Sequence, residues 1–162
     1  MISLRRPEFL EFSLHIVLVK PEIHFNTGNV GRTCLATGAK LHLVKPLGFS
    51  LEDARVRRAG LDYWPAVAPV VWESFDEVAR DVLPLGRAFF FSAEADRPFW
   101  EADYRGPTVL VFGSESVGLD RDIRERYRDA LVSLPQQPGS VRSLNLSNTV
   151  AVAAYEVLRQ RR

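Results

Sequence analysis

A single α/β domain built on a parallel sheet is what this sequence predicts, and three observations carry the prediction. Short runs rich in Val, Leu and Phe alternate along the chain with segments of helical periodicity, the pattern of successive β-α-β units. Several of those runs are apolar throughout, as strands covered on both faces are. The 162 residues, 46% of them hydrophobic, suffice for one well-buried core and fall short of two ordinary domains.

The first strand is expected at Leu14–Val19, an uninterrupted apolar run apart from His15. A helix over Asn29–Thr37 follows, because Asn26 and Asn29 suit a turn and a helix cap. The second strand is Lys40–Val44 and the next helix roughly Leu51–Ala59. Val67–Trp72 reads as the third strand, Phe75–Leu83 as a helix, and Ala88–Ser92 and Thr108–Phe112 as the fourth and fifth strands. Asp120–Arg128 is a helix and Leu131–Leu134 a sixth strand. The last helix, about Ser147–Arg159, sets Val150, Ala153, Ala154, Val157 and Leu158 on one stripe. Irregular backbone is expected at Ala93–Gly106 and Pro135–Arg142, and no repeat or linker divides the chain. In such sheets ligands sit at the carboxyl ends of the strands, which is where the motifs fall.

Composition excludes several classes. No run of about eighteen apolar residues exists, so no membrane span is expected. The opening MISLRRPEFLEF lacks the apolar centre of a signal peptide. Cys34 is the single cysteine, and His15, His24 and His42 are scattered, so neither disulfides nor a metal site is expected. These features describe a soluble, cytoplasmic, metal-free domain. A net charge of +1 argues against indiscriminate grip on nucleic acid. Only Lys20, Lys40 and Lys45 among the 21 basic residues are lysines. Arginine suits bidentate phosphate contacts, but high-GC coding or thermal adaptation enriches it too, and composition does not separate these causes.

Three constellations carry chemistry. After the first strand comes Asn26-Thr-Gly28-Asn-Val-Gly31-Arg32, whose glycines let backbone approach a ligand and whose Arg32 is placed on the first helical turn. An ordinary strand-turn-helix with a solvent arginine fits equally well. After the fifth strand comes Gly113-Ser-Glu115-Ser-Val-Gly118-Leu119. Its glycines have phosphate-loop spacing, but the required Lys-Ser/Thr is Leu119-Asp120, and Glu115 repels phosphate. A hydrolase elbow fails as well, since G-x-S-x-G is absent and no histidine follows His42. What remains is either a tight βα turn or a loop suited to a neutral or cationic ligand. The third is Ser143-Leu-Asn145-Leu-Ser-Asn148, entering the final helix, with its approach Leu134-Pro-Gln-Gln-Pro-Gly-Ser-Val-Arg142. It reads as a helix cap or as a small-molecule cradle, with Ser147 and Asn148 starting the helix.

Asn-x-Gly-Asn-x-x-Arg, Phe-Gly-x-Glu-x-x-Gly-Leu and Ser-x-Asn-Leu-Ser-Asn, in that order, resemble the three motifs of the SPOUT (TrmH-like) ribose 2′-O-methyltransferases. Lys20–Asn29 and Arg57-Arg58-Ala-Gly-Leu-Asp-Tyr63-Trp64 are similar to the subgroup that acts on the tRNA wobble nucleotide. The resemblance covers about Leu14 to Arg159, with residues 1–13 as an N-terminal extension and 14–162 as the methyltransferase domain. It implies a single-domain SPOUT fold with a deep C-terminal trefoil knot, a homodimer, and S-adenosylmethionine (SAM) as cofactor without a metal. By motif, Gly113, Leu134 and Ser143, more weakly Phe91, line the cofactor site, with Glu115, Leu144 and Asn148 around it. Asn26, Arg32, Glu115, Ser143 and Asn145 match catalytic or near-catalytic positions. Two residues depart from the pattern: Ser114 stands where proline is usual, and Gly31 where bulkier residues are common.

The family assigns activation of the hydroxyl to Arg32. A guanidinium with pKa above about 12 is a poor proton acceptor, so orientation of the 2′-OH and stabilisation of the developing alkoxide are its expected work. A 2′-OH target means RNA and excludes DNA. Arg55, Arg57 and Arg58 with Tyr63 and Trp64 join phosphate contacts to stacking surfaces; taken alone they read equally as a basic helix face with two partly buried aromatics, and the resemblance favours RNA binding by all five. The expected function is methylation of the wobble ribose (cytidine or modified uridine) in tRNA. The rivals are methylation of ribosomal RNA or another tRNA nucleotide, and a knotted RNA-binding protein without activity.

Overall fold

The computed structural model describes residues 8–52 and 62–162. Six parallel strands form one sheet in the order β3-β2-β1-β5-β4-β6. They are β1 (Leu14–Val19), β2 (Lys40–Val44), β3 (Val70–Trp72), β4 (Arg87–Phe91), β5 (Thr108–Phe112) and β6 (Leu131–Val132). The central strands β1, β2 and β5 are buried along their whole length, which is why their sequences are unbroken apolar runs. The helices are α1 (His24–Thr37), α2 (Trp64–Val67), α3 (Phe75–Asp81), α4 (Arg121–Arg126) and α5 (Leu146–Gln160).

Strand pleat divides the core in two. Leu14, Ile16 and Leu18 of β1 and Leu110 and Phe112 of β5 pack with Val30 and Cys34 of α1 and Val150, Ala153, Ala154 and Val157 of α5. On the other face Val17, Val19, Val109 and Val111 pack with Val78 of α3 and Ile123 of α4. Cys34 sits in the first core, where burial pushes its thiol up to about 12, so it is an inert packing residue.

The elements differ from expectation at their ends. α1 begins at His24 rather than Asn29, so Asn26 and Asn29 lie inside it and Arg32 falls on its third turn. β3 starts at Val70, because Trp64–Val67 forms a helical turn closed by Ala68 in the left-handed region (φ 43°). β4 is shifted one residue, to Arg87–Phe91. β6 shrinks to Leu131–Val132, with Ser133 bridging Pro98 instead. α3 and α4 stop early and pass into 3-10 turns at Leu83–Leu85 and Arg128–Ala130. The helix expected at Leu51–Ala59 lies largely outside the described residues.

On the second face of the sheet a polar chain is sealed. The Trp72 indole N–H donates to His42 Nδ1 (3.1 Å), which fixes the neutral tautomer with its proton on Nε2. That proton is donated to His15 Nδ1 (3.0 Å), and His15 Nε2–H donates to the Phe12 carbonyl (3.0 Å). Phe9 closes over the chain, edge-on to both His42 and Trp72. The described part of the N-terminal extension therefore belongs to the packed body. Burial, then the neighbouring His15 and Lys40, pushes His42 down to about 3. Burial and Lys40 lower His15 against the opposing pull of the Phe12 carbonyl.

Above about pH 6.5 these histidines are neutral in both folded and unfolded chains and contribute no pH dependence. Below it the unfolded chain takes up protons that the fold refuses. Each histidine then removes about 1.4 kcal/mol of stability per pH unit, down to its folded value. For His42 alone the expected loss at pH 5 is roughly 2 kcal/mol. Urea midpoints measured at pH 7 and pH 5 should show the fall, and His42→Gln, which keeps a donor and an acceptor, should shrink it. An identical pH slope in that variant would refute this origin.

Candidate active site

Topology brings the motifs together before any side chain acts. β1 and β5 are neighbours in register, Leu18 beside Phe112, so the loops leaving their carboxyl ends emerge side by side. One loop leads into α1 and the other carries Glu115. The chain winds outward from this pair in both directions, making it the crevice where a doubly wound sheet binds ligands. Lys20 Nζ and Asp120 Oδ2, 2.6 Å apart, tie the two loops together.

The β5 loop folds back on itself. Ser114 N–H donates to the Gly118 carbonyl (3.1 Å) and Gly118 N–H to the Ser114 carbonyl (2.9 Å), with Gly118 at φ 76°. Proline at position 114 could not make the first of these bonds, so this departure from the family pattern has a structural use. The closed loop holds Glu115 against the start of α1. Its carboxylate accepts the backbone N–H of Glu22 (2.7 Å) and of Ile23 (3.1 Å) and the side-chain amide of Asn26 (3.2 Å). Ile23, the α1 cap residue, offers no side-chain cap, and Glu115 supplies the missing acceptor and a negative charge at the positive end of the dipole.

The hydrogen bonds continue into the third motif. Asn145 Nδ2 donates to Asn26 Oδ1 (2.9 Å). Asn145 Oδ1 accepts Ser147 N–H (2.9 Å) and Ser147 Oγ–H (2.6 Å), so Asn145, not Ser147 or Asn148, caps α5. Ser147, Asn145, Asn26 and Glu115 thus form one directed chain through all three motifs, and each amide has its orientation set by both neighbours. Glu115, with three donors on its two oxygens, is a structural acceptor rather than a free base. Glu115→Gln removes the charge and one acceptor, and is expected to cost about 1–2 kcal/mol. The check is thermal melting, with a fall of roughly 3–6 °C; an unchanged midpoint would show that the carboxylate does not anchor α1.

A cleft of about 460 Å³ opens beside this chain at the carboxyl ends of the strands. Its volume lies within the range of about 300–1,000 Å³ of small-molecule sites. Phe91, Gly113, Glu115, Leu134, Ser143 and Leu144 line it, as do Asn26 and Asn145. Phe91 and Phe112 stack there at 4.5 Å and 19°, giving an apolar wall opposite the polar rim. Arg142, from the approach to the third motif, lines it too, and sequence reasoning missed Ser92, Glu94, Arg124 and Thr149, which also line it; Ser92 and Glu94 directly follow β4, the one signal that could have found them. Glu94 and Arg124 pair across the cleft's edge.

Two expected residues lie elsewhere. Arg32 is exposed on the outward stripe of α1 with Phe25, Asn29 and Leu35, and does not line the cleft. Asn148 is likewise exposed, on the outward stripe of α5 with Val152 and Tyr155, and is not a cleft residue. Helix phase explains both: Arg32 stands opposite the buried Val30 and Cys34 of α1, and Asn148 opposite the buried Val150 and Val157 of α5. Tyr63 and Trp64 are half-buried against the core and α1. Arg55, Arg57 and Arg58 lie outside the described residues. Among the described residues no group of His, Cys, Asp and Glu could hold a metal, and no helix is long and apolar enough to cross a membrane.

Similarity to known proteins converges on the same chemistry. The chain is 47% identical over 150 residues to a tRNA (cytidine(34)-2′-O)-methyltransferase of Burkholderia ambifaria, covering 90% of this chain and 94% of that one. A solved structure concerned with 2-OH methylation of C/U34 on tRNA superposes with a TM-score of 0.83 at 46% identity, covering 91% and 95% of the two chains. The AviRb methyltransferase of Streptomyces viridochromogenes, in complex with AdoMet, superposes at a TM-score of 0.77 and 26% identity, over 93% of this chain and 58% of that one. The profile of the SpoU rRNA methylase family matches residues 13–155, and the chain belongs to that family.

Proposed function

We propose that this protein is a SAM-dependent methyltransferase acting on the ribose 2′-OH of the wobble nucleotide, position 34, in the tRNA anticodon loop. The observation that carries the reading is the hydrogen-bonded chain that joins all three motifs at the rim of one cleft. The relatives named for tRNA nucleotide 34, at 46–47% identity over nine-tenths of the chain, support the target. The cleft fits SAM: Phe91, Phe112 and Leu134 offer an apolar wall for a nucleobase, and Gly113 leaves backbone bare where any Cβ would collide.

The chemistry such a cofactor would supply in this cleft is an electrophilic sulfonium methyl, whose S–CH₃ bond would be exchanged for an O–CH₃ bond to the ribose while the hydroxyl proton would pass to water or phosphate. The chain's own task is positioning. Glu115, Asn26 and Asn145 lock the loops that shape the cleft, and Ser143 lies at its mouth. Arg32 orients the hydroxyl and the adjacent phosphate and offsets the charge that develops on oxygen.

The homodimer and trefoil threading implied by the family are part of this proposal, as is a cytoplasmic setting, where tRNA is found. Phe25 and Leu35 on α1 and Val152 and Tyr155 on α5 support the dimer, being large apolar residues in outward stripes of two helices that pack together. A dimer joined on this face sets Arg32 at the subunit boundary; sedimentation at the mass of one chain would overturn that assembly.

The test is incubation with methyl-labelled SAM and total RNA lacking the modification, followed by mapping of the labelled nucleotide. Label at ribose 34 of tRNA is expected. Label in ribosomal RNA or at another tRNA position would overturn the target, and no label in any RNA would overturn the enzyme.

A further inference from the structure

We infer that Tyr63 is the positioning residue for Arg32, rather than a surface on which RNA bases stack; the inference rests on the role proposed for Arg32 above. An exposed arginine carries about 2 kcal/mol of rotamer entropy, so a guanidinium that must meet one hydroxyl needs a support. Here the Arg32 guanidinium lies 5.8 Å from the centroid of the Tyr63 ring, within the range of a cation–π contact. The ring is itself held. Its hydroxyl donates to the Gly28 carbonyl at 3.2 Å, and Gly28 lies one helical turn before Arg32 on the same face of α1. Tyr63 thus spans one turn of the helix, bonded at one end and presenting its π face to the arginine at the other.

Gly31 completes the support. A Cβ there would stand 2.8 Å from the Trp64 indole and 3.1 Å from Val67. The missing side chain lets α2 settle directly on α1 and fixes the height of Tyr63 above Arg32. This accounts for the small residue at a position where the family is bulkier: Trp64 fills the volume from the other side. Tyr63 is half-buried, and burial raises its hydroxyl pKa while the nearby Arg32 charge opposes the rise. A base-stacking platform presents an open face; this ring is committed to the core on one side and to Arg32 on another.

The experiment compares Tyr63→Leu and Tyr63→Phe in steady-state tRNA methylation, with SAM affinity measured separately. Tyr63→Leu is expected to lower kcat about tenfold while leaving KM for tRNA and SAM affinity within about twofold, and Tyr63→Phe to restore most of kcat. In an Arg32→Ala background, Tyr63→Leu should cause no further loss, because its effect passes through the arginine. If Tyr63→Leu loses SAM binding, progressively fluorinated phenylalanines at position 63 keep the shape while weakening the π face, and kcat should fall with each fluorine. An undiminished kcat, a rise in tRNA KM alone, or losses that multiply in the double variant would overturn the inference. A wild-type protein that methylates no RNA would instead overturn the function on which it rests.

Discussion

Gly113→Ala is expected to abolish SAM binding and lower the melting temperature by about 10 °C. The added Cβ would stand 1.9 Å from the carbonyl carbon of Gly118, 2.1 Å from the Leu119 nitrogen and 2.3 Å from the Gly118 oxygen. All three are backbone atoms, so no rotamer change relieves the collision and the loop must move. Its movement breaks the Ser114–Gly118 pair and carries Glu115 away from the N–H groups of Glu22 and Ile23. Overpacking of this kind, with loss of the cap, costs about 3 kcal/mol or more. In a domain of this size each kcal/mol shifts the midpoint by about 2–4 °C. Thermal melts with and without SAM check both halves of the expectation. Gly106→Ala is the control, since nothing lies within 4 Å of a Cβ there and the wild-type midpoint should survive. A Gly113→Ala protein that melts like wild type and is stabilised normally by SAM would show that the loop gives way more easily than its backbone contacts imply.

What made Gly113 legible in the sequence also marks where legibility stopped. β1, β2 and β5 were placed to the residue, because a strand buried on both faces writes itself as an unbroken apolar run. Gly113 followed from position, at the end of such a run and before a helix. The start of α1 did not, because its cap is Glu115, more than ninety residues later in the chain, and local patterning cannot see an acceptor supplied by another loop. The two glycines inside α1 deepened the error. Each costs about 1 kcal/mol in a helix and reads as a turn, yet here Gly28 offers its carbonyl to Tyr63 and Gly31 makes room for Trp64. The helix start lies five residues before the expected one, so Arg32 falls on the third turn rather than the first, further from the carboxyl end of β1.

The same cause separates the segments that met from those that did not. Asn26, Glu115 and Asn145 sit at strand ends and at the ends of the helices that follow, and parallel topology gathers those points wherever they fall in sequence. Arg32 lies further along α1, and Asn148, though in the first turn of α5, stands opposite that helix's buried stripe; in both, the direction of the side chain depends on helix phase, which composition does not report. Tyr63 and Trp64 carry a double meaning, exposed stackers or half-buried packing, and Trp64 is packed where a Cβ on Gly31 would otherwise stand. Only a neighbour thirty-three residues upstream in the chain could supply that answer.

Arg32→Ala is expected to lower the rate of tRNA methylation by about 10²–10³-fold while leaving SAM affinity and the melting temperature unchanged. The combination follows from placement. Arg32 is exposed and outside the cleft, so its removal opens no core cavity and strips nothing from the cofactor's walls. Surface truncations of this kind shift stability by less than about 0.5 kcal/mol. Loss of activity therefore reports the reacting ribose alone. Arg32→Lys separates the two services proposed for the guanidinium. Lysine keeps the charge but offers neither the planar fork for a hydroxyl and a phosphate together nor the flat face that rests on Tyr63. If orientation dominates, the lysine variant should lie near the alanine one, within about tenfold. If charge alone stabilises the oxygen, lysine should restore most of the rate. Near-full activity of Arg32→Lys would thus refute oriented, two-point recognition, and with it the need for a tyrosine to hold the arginine still.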